Sequence, residues 1–325
     1  MTDIENVTSG FSLSLKGLAA ALIFAVCLFS LLGYFGEFFW VFDLFAHFRV
    51  QYFLILALAA IICFFSSNVK SALFVVVFAL INLIAIAPLF LSDVGTCFLY
   101  PERLRVLTLN VNSGGGDIEK VMKLIDESDA DLVALQEVSS RWLGQLEKQK
   151  GAYPFSIISP REDNFGIALL SRIPFTASRT LEIGGARVPS LIVKIDWKLA
   201  PVQVCVTHPL PPISRAYAGY RDGQLNQLPE VIDKNVPTIL VGDLNTTPWG
   251  YTFKRLLKQT GLRNSAHPFG IQATWPAGNP LLRIPIDHIL ISPDILVLER
   301  KVGENTGSDH LPVLAELALI KPSIL

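Results

Sequence analysis

Polar and apolar positions alternate by different rules in the two parts of the chain. In the first part, three stretches carry no Asp, Glu, Lys or Arg: Gly17 to Gly36, Val50 to Val69, and Ser71 to Ser92. Each is about 20 residues, the length an α-helix needs to cross the hydrocarbon core of a bilayer. Runs such as "LAAALIFAVCLFSLLGY" and "ALFVVVFALINLIAIAPLFL" have no polar stripe, so a helix built from them has no face for water. They predict three membrane-spanning helices, at about 17–36, 50–69 and 71–92. Lys70 alone separates the second from the third, which makes a tight helical hairpin. A cleaved signal peptide fits the first stretch poorly, because "MTDIENVTSGFSLSLKG" is acidic rather than basic and two further spans follow.

The loop "EFFWVFDLFAHFRVQ" mixes aromatic residues with Asp43, His47 and Arg49. That mixture suits a segment lying in the interfacial belt, with His47 at headgroup level rather than acting as a ligand.

From Leu104 onward, short apolar runs alternate with turns. "LRVLTLNV" and "DLVALQEV" predict buried strands. "DIEKVMKLIDESDA" predicts an amphipathic helix with Ile118, Val121, Met122 and Ile125 on one face and Asp117 as its N-cap. "SSRWLGQLEKQ" and "SRAYAGYRDGQLNQLPEVID" predict two more helices. Further strands are expected at "FGIALLSR", "SLIVKIDW", "VQVCVTHP", "PTILVGDLN", "DHILIS" and "VLAELAL". The array is mixed α/β with no regular βαβ repeat. The domain plan is therefore a membrane region over residues 1–92, a linker over 93–102, and one domain over 103–325, long enough to bury a core.

Composition agrees with this division. The 325 residues are 51% hydrophobic and 17% charged, with a mean hydropathy of +0.46, an average over two unlike regions. The first 102 residues hold three Lys/Arg and six Asp/Glu, which leaves 24 basic and 22 acidic residues for the domain. A formal charge of +2 over that length is no basic field for non-specific nucleic-acid binding. The four cysteines form neither a disulfide framework nor a metal-binding spacing.

The chemistry lies in where polar residues fall. Nearly every buried strand of the domain carries one at its end or in the adjacent turn: Asn110, Glu137, His208, Asp243, Asn245, Asp287, Asp309 and His310. Carboxylates and imidazoles at the ends of apolar strands are costly unless paired or bound to a metal. Strand ends of a common sheet converge on one edge, so these side chains can meet there.

The motifs "LTLNV", "LVALQEV", "NFGIALLSRIPF", "VTHP", "VGDLNTTP", "IDHILIS" and "GSDHLPV", in this order, cover essentially all of residues 103–325. Together they resemble the endonuclease/exonuclease/phosphatase superfamily, the deoxyribonuclease-I-like fold of metal-dependent phosphoesterases. The three preceding spans resemble a membrane-anchored bacterial branch of it. The resemblance implies an α/β fold, two mixed β-sheets packed as a sandwich with flanking helices. It also implies hydrolysis of a phosphate ester with bound Mg²⁺ or Mn²⁺. Glu137, with Asn110 and Asp309, is expected to hold the metal, a hard cation that prefers oxygen ligands. His310 is expected as the base toward water, oriented by Asp287, and His208 as the group that contacts the phosphate and acts as acid. Asp243 and Asn245 match a "GDxN" pair that holds the attacking water and a phosphate oxygen.

Asn112 stands where some members carry an acid, so it is left out of the metal shell. Trp249, Tyr251 and Trp275 are open between cleft lining and packing, and "GIQATWP" is expected as a loop near the site. No arginine or aromatic insertion of the kind nucleases use to grip DNA is evident. Two substrate classes stay open, a nucleic acid and a phospholipid-type headgroup ester. A catalytically inactive copy serving as a membrane-bound binding module is the reading from another class. No obligate protein partner is evident. Lys and Arg flank the spans too evenly to choose a side. The resemblance alone places a multi-pass protein in the plasma (inner) membrane with its domain outside the cytoplasm.

Overall fold

The computed structural model describes residues 14–91, 102–197 and 200–320. The expected linker, 93–102, lies outside the described residues except for Glu102.

The apolar stretches are helical: α1 (Leu15–Leu32), α2 (Trp40–Ala46), α3 (Arg49–Phe65) and α4 (Val69–Ile86), the last extended by a 3₁₀ turn to Phe90. Leu15–Leu32 and Val69–Phe90 are long and apolar enough to cross a membrane, and α2 with α3, bent by 59°, makes a third if taken as one span. The boundaries follow local capping chemistry. Ser14 accepts the Gly17 N–H and starts α1 two residues early. The hairpin turn falls at Ser66 to Asn68 rather than at Lys70, because the Asn68 side chain caps α4 through the Ser71 N–H. The three long helices pack through Val26, Leu56, Ala59, Ala60, Val75 and Ala79, while Leu22, Leu58, Phe74 and Ile84 face outward. Among them Arg49 donates from Nη1 to the Ser30 carbonyl (2.6 Å) and to Asn82 Oδ1 (3.2 Å), polar partners for a guanidinium that is otherwise buried.

Among the described residues the domain contains twelve strands, β1 (Leu104–Asn110), β2 (Leu132–Gln136), β3 (Phe155–Ser159), β4 (Ile167–Ser171), β5 (Phe175–Glu182), β6 (Pro189–Trp197), β7 (Ala200–Thr207), β8 (Thr238–Asp243), β9 (Arg263–Asn264), β10 (Asp287–Ile291), β11 (Ile295–Val302) and β12 (Val313–Leu319). They form two mixed six-stranded sheets, ordered β11-β12-β1-β2-β4-β3 and β5-β6-β7-β8-β10-β9. Period-two alternation decides which residues lie between the sheets. Leu104, Val106, Leu132 and Ala134 face inward against Val204, Val206, Ile239 and Val241 of the opposite sheet. Their neighbours Leu107, Leu109, Val133 and Leu135 point outward, where α5 (Ile118–Ser128) and α6 (Ser140–Leu146) cover them through Val121, Ile125 and Trp142. The second sheet is covered by α7 (Arg215–Val231) and α8 (Tyr251–Thr260). Asp117 caps α5 by accepting the Lys120 N–H, as its position predicts.

The N-terminal helical region docks on the domain through α2. Asp43, buried in that helix, accepts from Arg221 Nη2 (2.9 Å) and from the Tyr251 N–H (2.6 Å) that opens α8. Ala46, Ile86 and Leu89 pack with Trp249 and Ala266, so Trp249 is core rather than cleft lining. The aromatic loop carries a helix inserted against the domain.

Candidate active site

Strand pairing brings the polar strand ends to one edge of the sandwich. β1 and β2 are parallel with Asn110 opposite Gln136, so Glu137 emerges beside Asn110. In the other sheet β7 and β8 are parallel, and β8 meets β10 antiparallel with Asp243 opposite Asp287. His208 follows the last residue of β7 and therefore lies next to Asp243. The close approach of β8 to β7 requires glycine at position 242, where φ is 147° and a Cβ would lie 2.0 Å from the Thr207 carbonyl oxygen. Glu137 has φ 61°, a left-handed conformation that costs a non-glycine residue on the order of 1–3 kcal/mol and aims its side chain into the site.

The contacts form a continuous chain. Asn110 Nδ2 donates to Glu137 Oε1 (3.0 Å) and to Asp243 Oδ2 (3.2 Å), linking the two sheets. The Ser113 N–H donates to Glu137 Oε2 (3.3 Å). His208 Nδ1 lies 3.2 Å from the Asp243 carbonyl oxygen, and its Nε2 lies 3.9 Å from Glu137 Oε1. His310 places Nδ1 2.9 Å from Asp287 Oδ2 and Nε2 3.6 Å from Asp243 Oδ2. The backbone around His310 is tied to β1 as well, because Ser308 Oγ donates to the Asn110 carbonyl (2.7 Å) and accepts the His310 N–H (3.1 Å). Asn245, at φ 51°, donates from its backbone to Asp243 Oδ1 and from Nδ2 to the Pro209 carbonyl.

Asp309 stands apart from the other expected metal ligands. Its carboxylate is exposed, with Oδ1 taking Asn112 Nδ2 (2.8 Å) and Oδ2 taking Trp275 Nε1 (3.1 Å). Among the described residues no hydrogen bond joins it to Asn110 or Glu137. The loop "GIQATWP" does lie at the site, through Trp275, whose ring centroid is 6.4 Å from that of His310. Tyr251 instead opens α8, where its N–H meets Asp43.

Electrostatics divides the carboxylates. Burial alone would lower the His310 imidazole, but the charges of Asp287 and Asp243 and the hydrogen bond to Asp287 raise it to about 10. Burial likewise pushes Asp287 up, yet the charge and hydrogen bond of His310 hold it below the usual carboxylate range. Asp243 goes the other way, raised to about 6 by burial that the nearby histidines offset only in part. One ligand-type atom from each of Asp243, Asp287 and His310 lies within 4.8 Å of the others, all three buried.

Glu137, His208, Asp243, Asn245, Asp309 and His310 all line one cavity of about 700 Å³. Three groups of its walls were not expected from the sequence to line the site. Asp163 and Phe165 come from the β3–β4 loop, Phe165 with its ring 5.6 Å from that of His208. Pro211 and Ile213 come from the loop before α7 and Tyr217 from its first turn, while Trp40 and Leu44 come from α2 and His47 and Phe48 from the turn after it. The signal for α2 was Asp43, a lone acid among aromatics that needs a buried partner.

The family model for the endonuclease/exonuclease/phosphatase family matches residues 107–310, from β1 to His310 itself. The chain belongs to the endonuclease/exonuclease/phosphatase family. Solved structures give the same fold. A family protein from Bacteroides thetaiotaomicron shares 18% identity with a TM-score of 0.58, covering 68% of this chain and 99% of that one. One from Beutenbergia cavernae shares 22% with a TM-score of 0.56, covering 67% and 72%. The human Nocturnin catalytic domain, with bound sulfate, shares 18% with a TM-score of 0.54, covering 71% and 99%. A comparison with curated proteins returned no match. Membership of the endonuclease/exonuclease/phosphatase family points to hydrolysis of a phosphate ester, in a family generally dependent on divalent metal.

The residues present suit such a cation. The cavity is lined by Glu137, Asp163, Asp243 and Asp309 and, among the described residues, by no Lys or Arg. The carboxylates of Glu137 and Asp243 share the Asn110 amide between them, and such an acidic, oxygen-rich cluster matches the preference of a hard divalent ion.

Proposed function

We propose that the chain is a membrane-anchored phosphodiesterase whose site activates water against a phosphate ester. Asn110 and Glu137 would hold Mg²⁺ or Mn²⁺, with Asp309 contributing from the rim. When bound, the ion supplies positive charge for the oxygens on which charge builds as the P–O bond breaks. The rest is done by this chain's own side chains. Asp243 and Asn245 orient the water, and His310 takes its proton through Nε2 while Asp287 fixes the ring by accepting from Nδ1. His208, buried beside Glu137, donates a proton to the departing alkoxide. The products are a phosphate monoester and an alcohol. With only carboxylates around it His310 keeps its proton, and positive charge beside Glu137 and Asp243 would release it.

The observation that carries this reading is the Asn110–Glu137–Asp243–His310 chain of contacts across the two sheets. An inactive binding module has no need to keep a buried imidazole–carboxylate pair at 2.9 Å. The test compares the full chain in detergent micelles with His310→Ala and Asp287→Asn on bis-p-nitrophenyl phosphate. Each variant should lose on the order of 10²-fold or more in kcat, with Asp287→Asn also shifting the pH profile. Equal kcat in wild type and His310→Ala would remove the assigned base.

A further inference from the structure

The cavity over Asp243 and His310 has a polar floor and an apolar roof, and the roof comes from outside the catalytic domain. Trp40, Leu44 and Phe48 recur at i, i+4 and i+8 along α2 and the turn after it, so they present one face to the cavity. A second face of α2 is fixed to the domain by Asp43, and a third meets α1, where Phe45 stacks on Phe29 with centroids 4.4 Å apart. The roof is therefore a built wall, continuous through the 59° bend with the apolar helix α3. At the mouth Ile213 is 74% exposed, an apolar side chain offered to whatever lies there. His47 lines the same cavity, is 5% exposed, and among the described residues its Nε2 has no hydrogen-bond partner. An unpartnered polar nitrogen inside a protein is costly, and on a residue of the cavity wall a polar group of a ligand is the partner available to it. Among the described residues no Lys or Arg lines the space, so none of them tracks a polyanionic backbone.

We propose that this site takes an amphiphilic phosphate ester drawn from the bilayer. Its apolar part lies under Trp40, Leu44 and Phe48, its polar junction meets His47, and its phosphate sits over His208 and His310. This names the substrate class of the phosphodiesterase reading above and rests on it. Water adds to phosphorus, one P–O bond breaks, and the alcohol leaves with the proton it receives.

The test uses the full chain in detergent micelles with Mg²⁺ and two p-nitrophenyl phosphodiesters, one methyl and one octyl. Wild type should favour the octyl ester by about tenfold or more in kcat/KM, since its methylenes are buried only there. Leu44→Ser and Trp40→Ser, assayed separately in the same micelles so that partitioning cancels, should each cut the octyl-to-methyl ratio by at least about threefold. If one variant fails to fold, judged by its unfolding midpoint, the other and the wild-type ratio still decide. Equal kcat/KM for the two esters in wild type, an unchanged ratio in the folded variants, or preference for single-stranded DNA would overturn the proposal. Failure to turn over either ester with Mg²⁺ or Mn²⁺ would instead remove the phosphodiesterase reading beneath it.

Discussion

Asp43→Asn perturbs one carboxylate that joins the N-terminal helices to the C-terminal domain. Asp43 is 1% exposed and Arg221 0%, and their 2.9 Å contact is reinforced by the Tyr251 N–H at 2.6 Å. Removing one member of a buried pair costs about 3–5 kcal/mol, because the surviving charge is left without its partner. Here Arg221 keeps Asp222 through Nε (2.9 Å) and the Asn245 carbonyl through Nη1 (3.2 Å), which places the cost at the low end, about 3 kcal/mol. At roughly 2–4 °C per kcal/mol for a domain of this size, the unfolding midpoint should fall by about 6–12 °C. The assay is thermal unfolding of the full chain in detergent micelles, followed by tryptophan fluorescence, since Trp249 packs beside Ala46. Arg221→Met completes a double-mutant cycle with an expected coupling of about 2–3 kcal/mol. A midpoint shift below about 1 °C, or single effects that add within about 0.5 kcal/mol, would refute a buried, coupled pair.

Two other positions make independent predictions. Burial, aided by Arg300 and only partly offset by the bond from Nε2 to the Thr246 carbonyl, lowers His288 from 6.5 to about 4. The unfolded chain then binds the extra proton first, so stability is complete above pH 6.5 and falls by about 3 kcal/mol between there and pH 4. His288→Gln should flatten that stretch of the denaturation-versus-pH curve, and an identical slope in the variant would contradict it. Gly242→Ala places a Cβ 2.0 Å from the Thr207 carbonyl oxygen and should cost about 3 kcal/mol or more, read as a lower midpoint in urea. A midpoint equal to wild type would show that β7 and β8 do not meet so closely.

What could be read from the chain, and what could not, follows from how each segment is solvated. The strands expected from apolar runs are the central ones, such as β1, β2, β7 and β8, because burial on both faces leaves an unbroken run of Val, Ile and Leu. The strands not anticipated, β3, β5, β9 and β11, are the four sheet edges. Phe175–Glu182, for example, is largely exposed and reads "FTASRTLE", with no apolar run to mark it. The site residues were legible for the reason that the central strands were, since a carboxylate or imidazole ending such a strand stands out. Asp309 was placed with the metal ligands by resemblance, yet Asn112 and Trp275 hold it at the rim, a partnership across 197 and 34 positions that no local pattern encodes. The docking of α2 was hidden for the same reason. Asp43 and Arg221 lie 178 positions apart, so the lone acid among aromatics hints at a buried partner without naming it.

Metal-dependent turnover at Glu137 is the measurement on which the reading of this site rests. The full chain in micelles should hydrolyse bis-p-nitrophenyl phosphate with Mg²⁺ or Mn²⁺ and stop on addition of EDTA. Glu137→Gln should lower kcat by on the order of 10²-fold and raise the Mg²⁺ concentration needed for half-maximal rate. Turnover that survives EDTA, or a Glu137→Gln variant as active as wild type at the same Mg²⁺ concentration, would contradict it.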